Sequence, residues 1–129
     1  GRWVHRIAID DKDIMLSDDP SSHFHKISSG LAHMINLRKQ HPVFGKALTQ
    51  IIELGNDHVF AYKRTLDEQS KNAGRQLYAV CNFSEKEQSI DTSSILHSSC
   101  TDLISGKLIQ SGTKNVLLQP YQVLWLLSS

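Results

Sequence analysis

The chain has 129 residues, of which 40% are hydrophobic and 21% charged, a composition typical of one globular domain rather than of a disordered segment. Its formal net charge of +1 argues against a nucleic-acid partner, because affinity for phosphate requires a clustered excess of Lys and Arg. A run of roughly 18 apolar residues is lacking, so the sequence predicts no membrane-spanning helix.

Residues 1–18 show no sustained hydrophobic period, and we predict an irregular loop there. The first six residues lack the apolar segment of a signal peptide. A chain that begins at Gly1 without an initiator Met looks cut from a longer protein, although a mature N-terminus or a tag remnant would look the same.

An amphipathic helix is predicted at about residues 19–41. Asp19 can cap its first turn and Pro20 is tolerated there, whereas Pro42 ends it, because Pro disfavours the α conformation of the residue before it. Steps of three and four residues place apolar side chains on one face, which includes Phe24, Ile27, Leu31 and Met34. This face needs a cover, so we expect it either to dock onto the following domain or to mediate self-association.

After residue 45 the pattern changes to short strands separated by turns. Gly55-Asn-Asp57 is a hairpin signal between the first two strands, and residues 67–75 form a polar loop. We predict strands at Leu48–Leu54, His58–Leu66, Gln76–Phe83, Gln88–Thr92, Cys100–Ile104, Lys107–Ile109, Val116–Leu118 and Gln122–Leu127. Short strands at this spacing predict an all-β sandwich over residues 46–129, preceded by one long helix.

The segment Val116–Leu127 has the clearest strand pattern, and it is interrupted once, at Pro120. A single Pro in such a run indicates a bend or an edge position. We therefore expect this segment to close the sheet.

The two cysteines show no CxxC spacing. Cys81 lies in an apolar run, where a buried free thiol is more common than a disulfide; Cys100 is the second thiol. Free thiols favour a reducing compartment, so we expect a cytoplasmic protein. Asn82-Phe-Ser84 fits the glycosylation sequon, a triplet that often arises by chance.

The sequence offers few groups for catalysis or cofactor binding. The acidic pairs Asp10-Asp11 and Asp18-Asp19 lie in a turn-like segment, where solvated or helix-capping roles are more common. None of the seven His residues forms the i, i+4 pair of a helical zinc site, and Gly45-Lys46 and Gly106-Lys107 lack the rest of a P-loop. We expect no metal, no cofactor and no catalytic residue in this chain.

Aromatic residues could form a platform on which sugar rings stack. The candidates are Tyr62, Tyr78, Phe83, Tyr121 and Trp125. Tyr62 and Tyr78 lie within apolar strands and Trp125 lies between two Leu residues, so we favour core packing for the group.

Several motifs, taken in order, resemble the end of the α-amylase superfamily of glycoside hydrolases, and its amylosucrase group in particular. They are Arg2-Trp3 with His5-Arg6, Gly30–Pro42 with Phe44, Phe60–Arg64, Asn82-Phe-Ser84, Asp102–Lys107 and Leu118–Leu126. Ile7 departs from the pattern, since the family usually has Pro there, which leaves the path of residues 7–17 open.

The resemblance implies that residues 1–45 are a remnant of a (β/α)8 catalytic barrel, with its final helix, and that residues 46–129 are the Greek-key sandwich called domain C. A complete barrel needs roughly 200 residues or more, so the chain would lack the catalytic centre. The parent enzyme would transfer or hydrolyse an α-glucosyl unit of sucrose or α-glucan by a retaining mechanism. Arg2 is similar in position to an Arg that pairs with an Asp in the glucosyl pocket of amylosucrases, a role it could have only in the intact parent.

Two other functions remain open. The sandwich could be an independent carbohydrate-binding module, or it could be a structural or oligomerisation domain. The resemblance favours a non-catalytic domain that packs against its own barrel and stabilises it.

Overall fold

A computed structural model describes residues 10–45, 47–66, 74–93 and 95–128 of the chain. Two compact units are present, Gly1–Asn36 and Leu37–Ser129. The elements are α1 (Asp11–Met15), α2 (His23–Gln40), a 3-10 turn (Pro42–Phe44), β1 (Ala47–Ile52), β2 (Val59–Leu66), β3 (Gln76–Asn82), β4 (Gln88–Asp91), β5 (Cys100–Asp102), β6 (Leu108–Ile109), β7 (Asn115–Leu118) and β8 (Val123–Ser128). Neither α-helix in these ranges is long and apolar enough to cross a membrane.

The short helix α1 occupies part of the segment that was predicted to be a loop. Its N-terminus is a capping box: the Asp10 carboxylate accepts a hydrogen bond from the Asp13 amide (3.0 Å), and the Asp13 carboxylate accepts one from the Asp10 amide (3.2 Å). Five residues are too few to show a helical period, so periodicity could not reveal this helix. The paired acidic residues were the available signal, and the capping role expected for Asp10 is confirmed.

Helix α2 begins at His23 rather than near residue 19. The Asp19 carboxylate accepts hydrogen bonds from the amide (2.9 Å) and hydroxyl (2.8 Å) of Ser21, which close a turn before the helix. The cap is the Ser22 hydroxyl, which accepts from the His25 amide at 2.9 Å. On the predicted apolar face, Phe24, Ile27 and Leu31 are exposed and Met34 is half-buried.

The second unit is mainly β, and all of its strand pairs are antiparallel. A six-stranded sheet has the order β1-β2-β3-β8-β5-β6, and a two-stranded sheet pairs β4 with β7. The chain leaves the large sheet after β3 and returns for β5 and β6. It leaves again for β7, so that β8 finally lies between β3 and β5. Each of the eight strands lies in or within one residue of a predicted strand.

The two sheets share one hydrophobic core. The small sheet contributes Ile90 and Leu118, and the large sheet contributes residues that include Val80, Leu124 and Leu126. These side chains are at most 5% exposed. Alternation along each strand therefore gives the large sheet an inner face toward this core and an outer face on its other side.

The outer face is covered at one end by the 3-10 turn. Val43 and Phe44 are buried, and the Phe44 and Trp125 rings have centroids 4.7 Å apart. Arg64, on β2, holds this turn in place by donating to the carbonyl oxygens of Phe44 (3.0 Å) and Gly45 (3.0 Å). Sequence reasoning missed this contact, because it joins residues that become neighbours only when the turn folds onto the sheet.

At the predicted bend, Pro120, the chain crosses from the small sheet to the large sheet. The Gln122 amide donates to the Gln119 carbonyl at 3.0 Å, with Pro120 and Tyr121 between them. Pro at the second position and the positive φ of Tyr121 (57°) are the features of a type II turn. The turn joins β7 of the small sheet to β8 of the large one.

Candidate functional site

The one substrate-binding residue predicted from the sequence, Arg2, lies outside the described residues, as does Trp3. The pocket role of Arg2 in a parent enzyme therefore stays a prediction.

Two aspartates form short turns with neighbouring serines. The amide and then the hydroxyl of Ser21 hold the pKa of Asp19 below its ordinary value, and the hydroxyl and then the amide of Ser93 do the same for Asp91. A general acid needs the opposite shift, a pKa raised toward the working pH. The geometry thus gives both carboxylates a role in turn formation.

Replacing Ser93 with Ala should raise the pKa of Asp91 toward its ordinary value of 3.8, because the carboxylate loses its main hydrogen-bond donor. The folded-state pKa is depressed, so the contribution of this turn is present above the unfolded pKa and is lost as the pH falls through the folded one. Carboxyl NMR titration measures the shift, and Ser89→Ala, on β4 two residues before Asp91, is the control. An unchanged titration of Asp91 in Ser93→Ala would contradict the assignment.

The described residues include no group of three or more His, Cys, Asp or Glu side chains that could hold a metal ion. His25 has a structural contact instead, since its Nδ1 donates to the Ser17 carbonyl at 2.7 Å.

Cys81 and Cys100 are both free, and burial raises the pKa of each thiol. Thiols with raised pKa values are poor nucleophiles at neutral pH.

Asn82 is the centre of the Asn82-Phe-Ser84 motif. Its side-chain Nδ2 donates to the carbonyl oxygens of Lys86 (2.8 Å) and Gln119 (2.9 Å), and its Oδ1 accepts from the amide and hydroxyl of Ser84 (both 2.9 Å). The residue is only 3% exposed. It ties the turn after β3 to the turn before β8, and its buried nitrogen is no acceptor for a glycan in the folded chain.

Asp102 organises the second motif, Asp102–Lys107. Its carboxylate accepts hydrogen bonds from the Trp125 amide (3.0 Å) and from the hydroxyl (2.5 Å) and amide (3.1 Å) of Ser105. The residue is 2% exposed, and the turn that it caps continues to Gly106, whose φ is +73°. The aspartate therefore joins β5, this turn and β8.

The substitution Asp102→Asn should lower the free energy of unfolding by about 1–2 kcal/mol, because the amide that replaces one oxygen cannot accept from the Ser105 amide. Urea denaturation measures the loss. Asp57→Asn, at an exposed hairpin position, is the control and should change stability by less than about 0.5 kcal/mol. Equal stabilities of the two variants would exclude this role for Asp102.

The aromatic candidates divide into two groups. Trp125 and Tyr78 are buried, as predicted, and Tyr62 is half-buried. Core packing was the wrong prediction for Phe83 and Tyr121, which are 68% and 66% exposed. Phe83 lies one residue beyond β3 and Tyr121 lies in the turn before β8, so neither belongs to a buried stretch of strand.

An apolar surface remains on the outer face of the large sheet, beside the end that the 3-10 turn covers. The strand registers place Ile51 opposite Tyr62 and place Cys81 opposite both Phe60 and Val123. We define the outer-face patch by the side chains that share this face: Ile51, Phe60, Tyr62, Cys81, Phe83 and Val123. Ile51 is 63% and Phe60 43% exposed, whereas Tyr62, Cys81 and Val123 are half-buried. Exposed apolar side chains on one face are the kind of surface through which a protein contacts a partner.

Solved structures of other proteins share this fold. AmyP in complex with maltose is 18% identical over 84% of this chain and 22% of its own, with a TM-score of 0.69. An Anoxybacillus α-amylase is 16% identical over 80% of this chain and 22% of its own, with a TM-score of 0.65. A MutB mutant soaked with trehalulose is 22% identical over 88% of this chain and 19% of its own, with a TM-score of 0.63.

The chain spans about a fifth of the length of these solved chains. Residues 72–127 match the family model described as the amylosucrase C-terminal domain. This range contains the Asn82 and Asp102 networks and most of the large sheet. The match over residues 72–127 and the shared fold agree with the resemblance of the chain to the C-terminal region of an α-amylase superfamily enzyme close to amylosucrase.

Proposed function

We propose that the chain is the non-catalytic C-terminal domain of a retaining enzyme that transfers or hydrolyses α-glucosyl units of sucrose or α-glucan. In this proposal, residues 46–129 are a Greek-key sandwich that packs against a catalytic barrel and stabilises it, and residues 1–45 are the end of that barrel. The family match of residues 72–127 supports the type of enzyme.

The outer-face patch is the observation that carries the packing role. Much of the inner face of the large sheet already has a cover, because it shares a core with β4 and β7. On the outer face, the 3-10 turn covers Trp125, while Ile51, Phe60 and Phe83 stay exposed beside it. The 3-10 turn, through which the chain enters the sheet, packs on this same face.

Because Cys81 lies in the outer-face patch, its labelling tests whether the barrel docks there. In the 129-residue chain, a thiol reagent applied at alkaline pH, where the raised pKa of Cys81 no longer suppresses its thiolate, should label half-buried Cys81 and leave buried Cys100 unlabelled. In the parent polypeptide, the barrel should cover the patch and protect Cys81 by about tenfold or more in labelling rate. Mass spectrometry of the modified peptides measures both sites, and the Cys100→Ser variant confirms the assignment.

Equal labelling of Cys81 in the chain and in the parent would contradict docking through this patch. A second arm uses Phe60→Gln, which should lower the melting temperature of the parent more than that of the isolated chain. The matched control is Leu108→Gln, since Leu108 is 61% exposed on the opposite edge strand β6.

A carbohydrate-binding module is the second candidate function, and the exposed rings of Phe83 and Tyr121 favour it. Saturable binding of maltooligosaccharides that is lost in Tyr121→Ala without unfolding would support a stacking platform on these rings.

An oligomerisation role is favoured by the exposed face of α2, at Phe24, Ile27 and Leu31. A strictly monomeric chain in light scattering, with that face open to labelling, would exclude self-association through it.

For the parent we further propose that Arg2 closes the glucosyl pocket by pairing with an Asp of the barrel, and that the protein is cytoplasmic. The two free thiols support a reducing compartment. An Arg2→Lys variant of the parent should raise the KM for sucrose, because Lys cannot form a bidentate pair with a carboxylate.

A further inference from the structure

A second surface feature is a polar cleft at one end of the inner face of the large sheet. Three neighbouring strands form its floor, with Gln50 directly opposite Lys63 and Lys63 directly opposite Tyr78. Glu53, Gln76 and His97 complete the polar lining, and the cleft has a volume of about 350 Å³. None of its lining residues belongs to the small sheet, so this end of the inner face stays open.

The polar groups of this cleft are available to a ligand. Within the described ranges, no ion pair or hydrogen bond engages the side chains of Gln50, Glu53, Lys63 or His97. The Gln76 Oε1 accepts from the Tyr78 hydroxyl at 2.5 Å, which leaves the amide nitrogen of Gln76 able to donate. Burial raises the pKa of Tyr78, so its hydroxyl stays protonated at neutral pH and keeps its hydrogen bond to Gln76.

The chemistry of the lining indicates a neutral ligand. The charges of Lys63 and Glu53 cancel, so the cleft lacks the excess positive charge that would select a phosphate or a carboxylate. Its two carboxamides can each donate and accept, which suits hydroxyl groups. Ile52 and Ile95 add apolar contact surface, which suits the C–H groups of a sugar ring.

We propose that this cleft binds a short segment of a neutral oligosaccharide, with hydroxyl groups paired by Gln50, Lys63 and Gln76. Its volume lies at the lower end of the range of ligand sites, about 300–1,000 Å³, so it holds only part of a longer chain. The choice of an α-glucan as the occupant rests on the function proposed above. The cleft opens on the inner face and the outer-face patch lies on the other; Ile51, on the edge strand β1, is the patch residue that also lines the cleft.

NMR titration of the ¹⁵N-labelled 129-residue chain with maltoheptaose tests the site. We expect saturable shifts of the Lys63, Gln76 and His97 amides. The variants Gln50→Ala and Lys63→Met should each weaken binding by about tenfold, the effect of losing a hydrogen bond to the sugar. Gln110→Ala replaces an exposed amide outside the cleft and should leave the affinity unchanged.

Parallel titrations with cellohexaose and inorganic phosphate separate the alternatives. Preference for maltoheptaose over cellohexaose supports an α-glucan, whereas equal binding overturns that choice of occupant. Three outcomes would overturn the site: saturation by phosphate alone, amide shifts that do not saturate with maltoheptaose, or unchanged affinity in both cleft variants. Because Gln50 is an exposed edge residue, its variant should retain the wild-type spectrum outside the cleft. The Cys81 labelling experiment reports on barrel docking separately, so the two proposals can fail independently.

Discussion

Replacing Trp125 with Ala is expected to lower the free energy of unfolding of the chain by about 3–5 kcal/mol. The side chain is 8% exposed and its ring packs against Phe44, which belongs to the turn that covers one end of the outer face. The substitution removes this contact and leaves a cavity beside Leu127, which is itself buried. Since domains of this size are stable by only about 5–15 kcal/mol, the substitution should remove a large share of the total stability.

Urea denaturation without any sugar present measures this effect, and Phe83→Ala is the matched control. Phe83 is 68% exposed, so its truncation should change the stability by less than about 1 kcal/mol. A Trp125→Ala variant that keeps wild-type stability but loses affinity for maltooligosaccharides would contradict the assignment of Trp125 to the core and would make it part of a binding platform.

The second large effect is expected for Asn82→Ala, which should lower the free energy of unfolding by about 2–3 kcal/mol. Four hydrogen bonds are lost at one buried position, and the turns after β3 and before β8 lose their common anchor. Asn82→Asp should be at least as damaging, because a carboxylate oxygen would then face the carbonyl oxygens of Lys86 and Gln119.

Thermal and urea unfolding of these variants should be compared with Asn115→Ala, which truncates an exposed asparagine on β7 and should cost less than about 0.5 kcal/mol. Amide hydrogen exchange adds a local readout. We expect faster exchange at Ser84, whose amide donates to Asn82, and at Tyr121, whose amide donates to the Ser84 carbonyl at 3.2 Å. Unchanged exchange at both amides would contradict the role of Asn82 as a link between the turns.

The strands could be predicted because each combines β-branched or aromatic residues with turn residues at its ends. The hairpin at Gly55 is an example, with β1 and β2 paired from Ala47 opposite Leu66 to Ile52 opposite Ala61. The division into a six-stranded and a two-stranded sheet could not be predicted, because it depends on contacts between distant segments. The placement of β8 between β3 and β5 is one such contact.

The exposure of side chains was harder to predict than the strands. Phe83 and Tyr121 have the chemistry of core residues, but they lie in turns beyond the ends of the strands, where both stay exposed. Arg64 shows the opposite case: a charged residue in a strand proves to be half-buried, because carbonyl groups of the 3-10 turn surround its guanidinium. Patterns along the chain do not contain these contacts, which form only in three dimensions.

The outer-face patch could not be predicted from the sequence for the same reason. Its members come from four strands or strand ends, and they form one surface only after the registers of β1, β2, β3 and β8 are known. The motifs indicated the family, and the structure then added the surface through which we propose that the domain acts.

The mass and peptide composition of the native polypeptide test the central claim most directly. An antibody raised against the chain would capture the protein from its source cells, and mass spectrometry would identify the peptides that precede Gly1 in the same polypeptide. We predict a polypeptide several times longer than 129 residues, since the chain spans about a fifth of the solved chains it matches, with a (β/α)8 barrel that contains an Asp nucleophile and a Glu acid. A native polypeptide whose N-terminus lies near Gly1 would contradict the proposal that this chain is the C-terminal domain of an α-glucosyl-transferring enzyme. A preceding domain without such a barrel would contradict it as well.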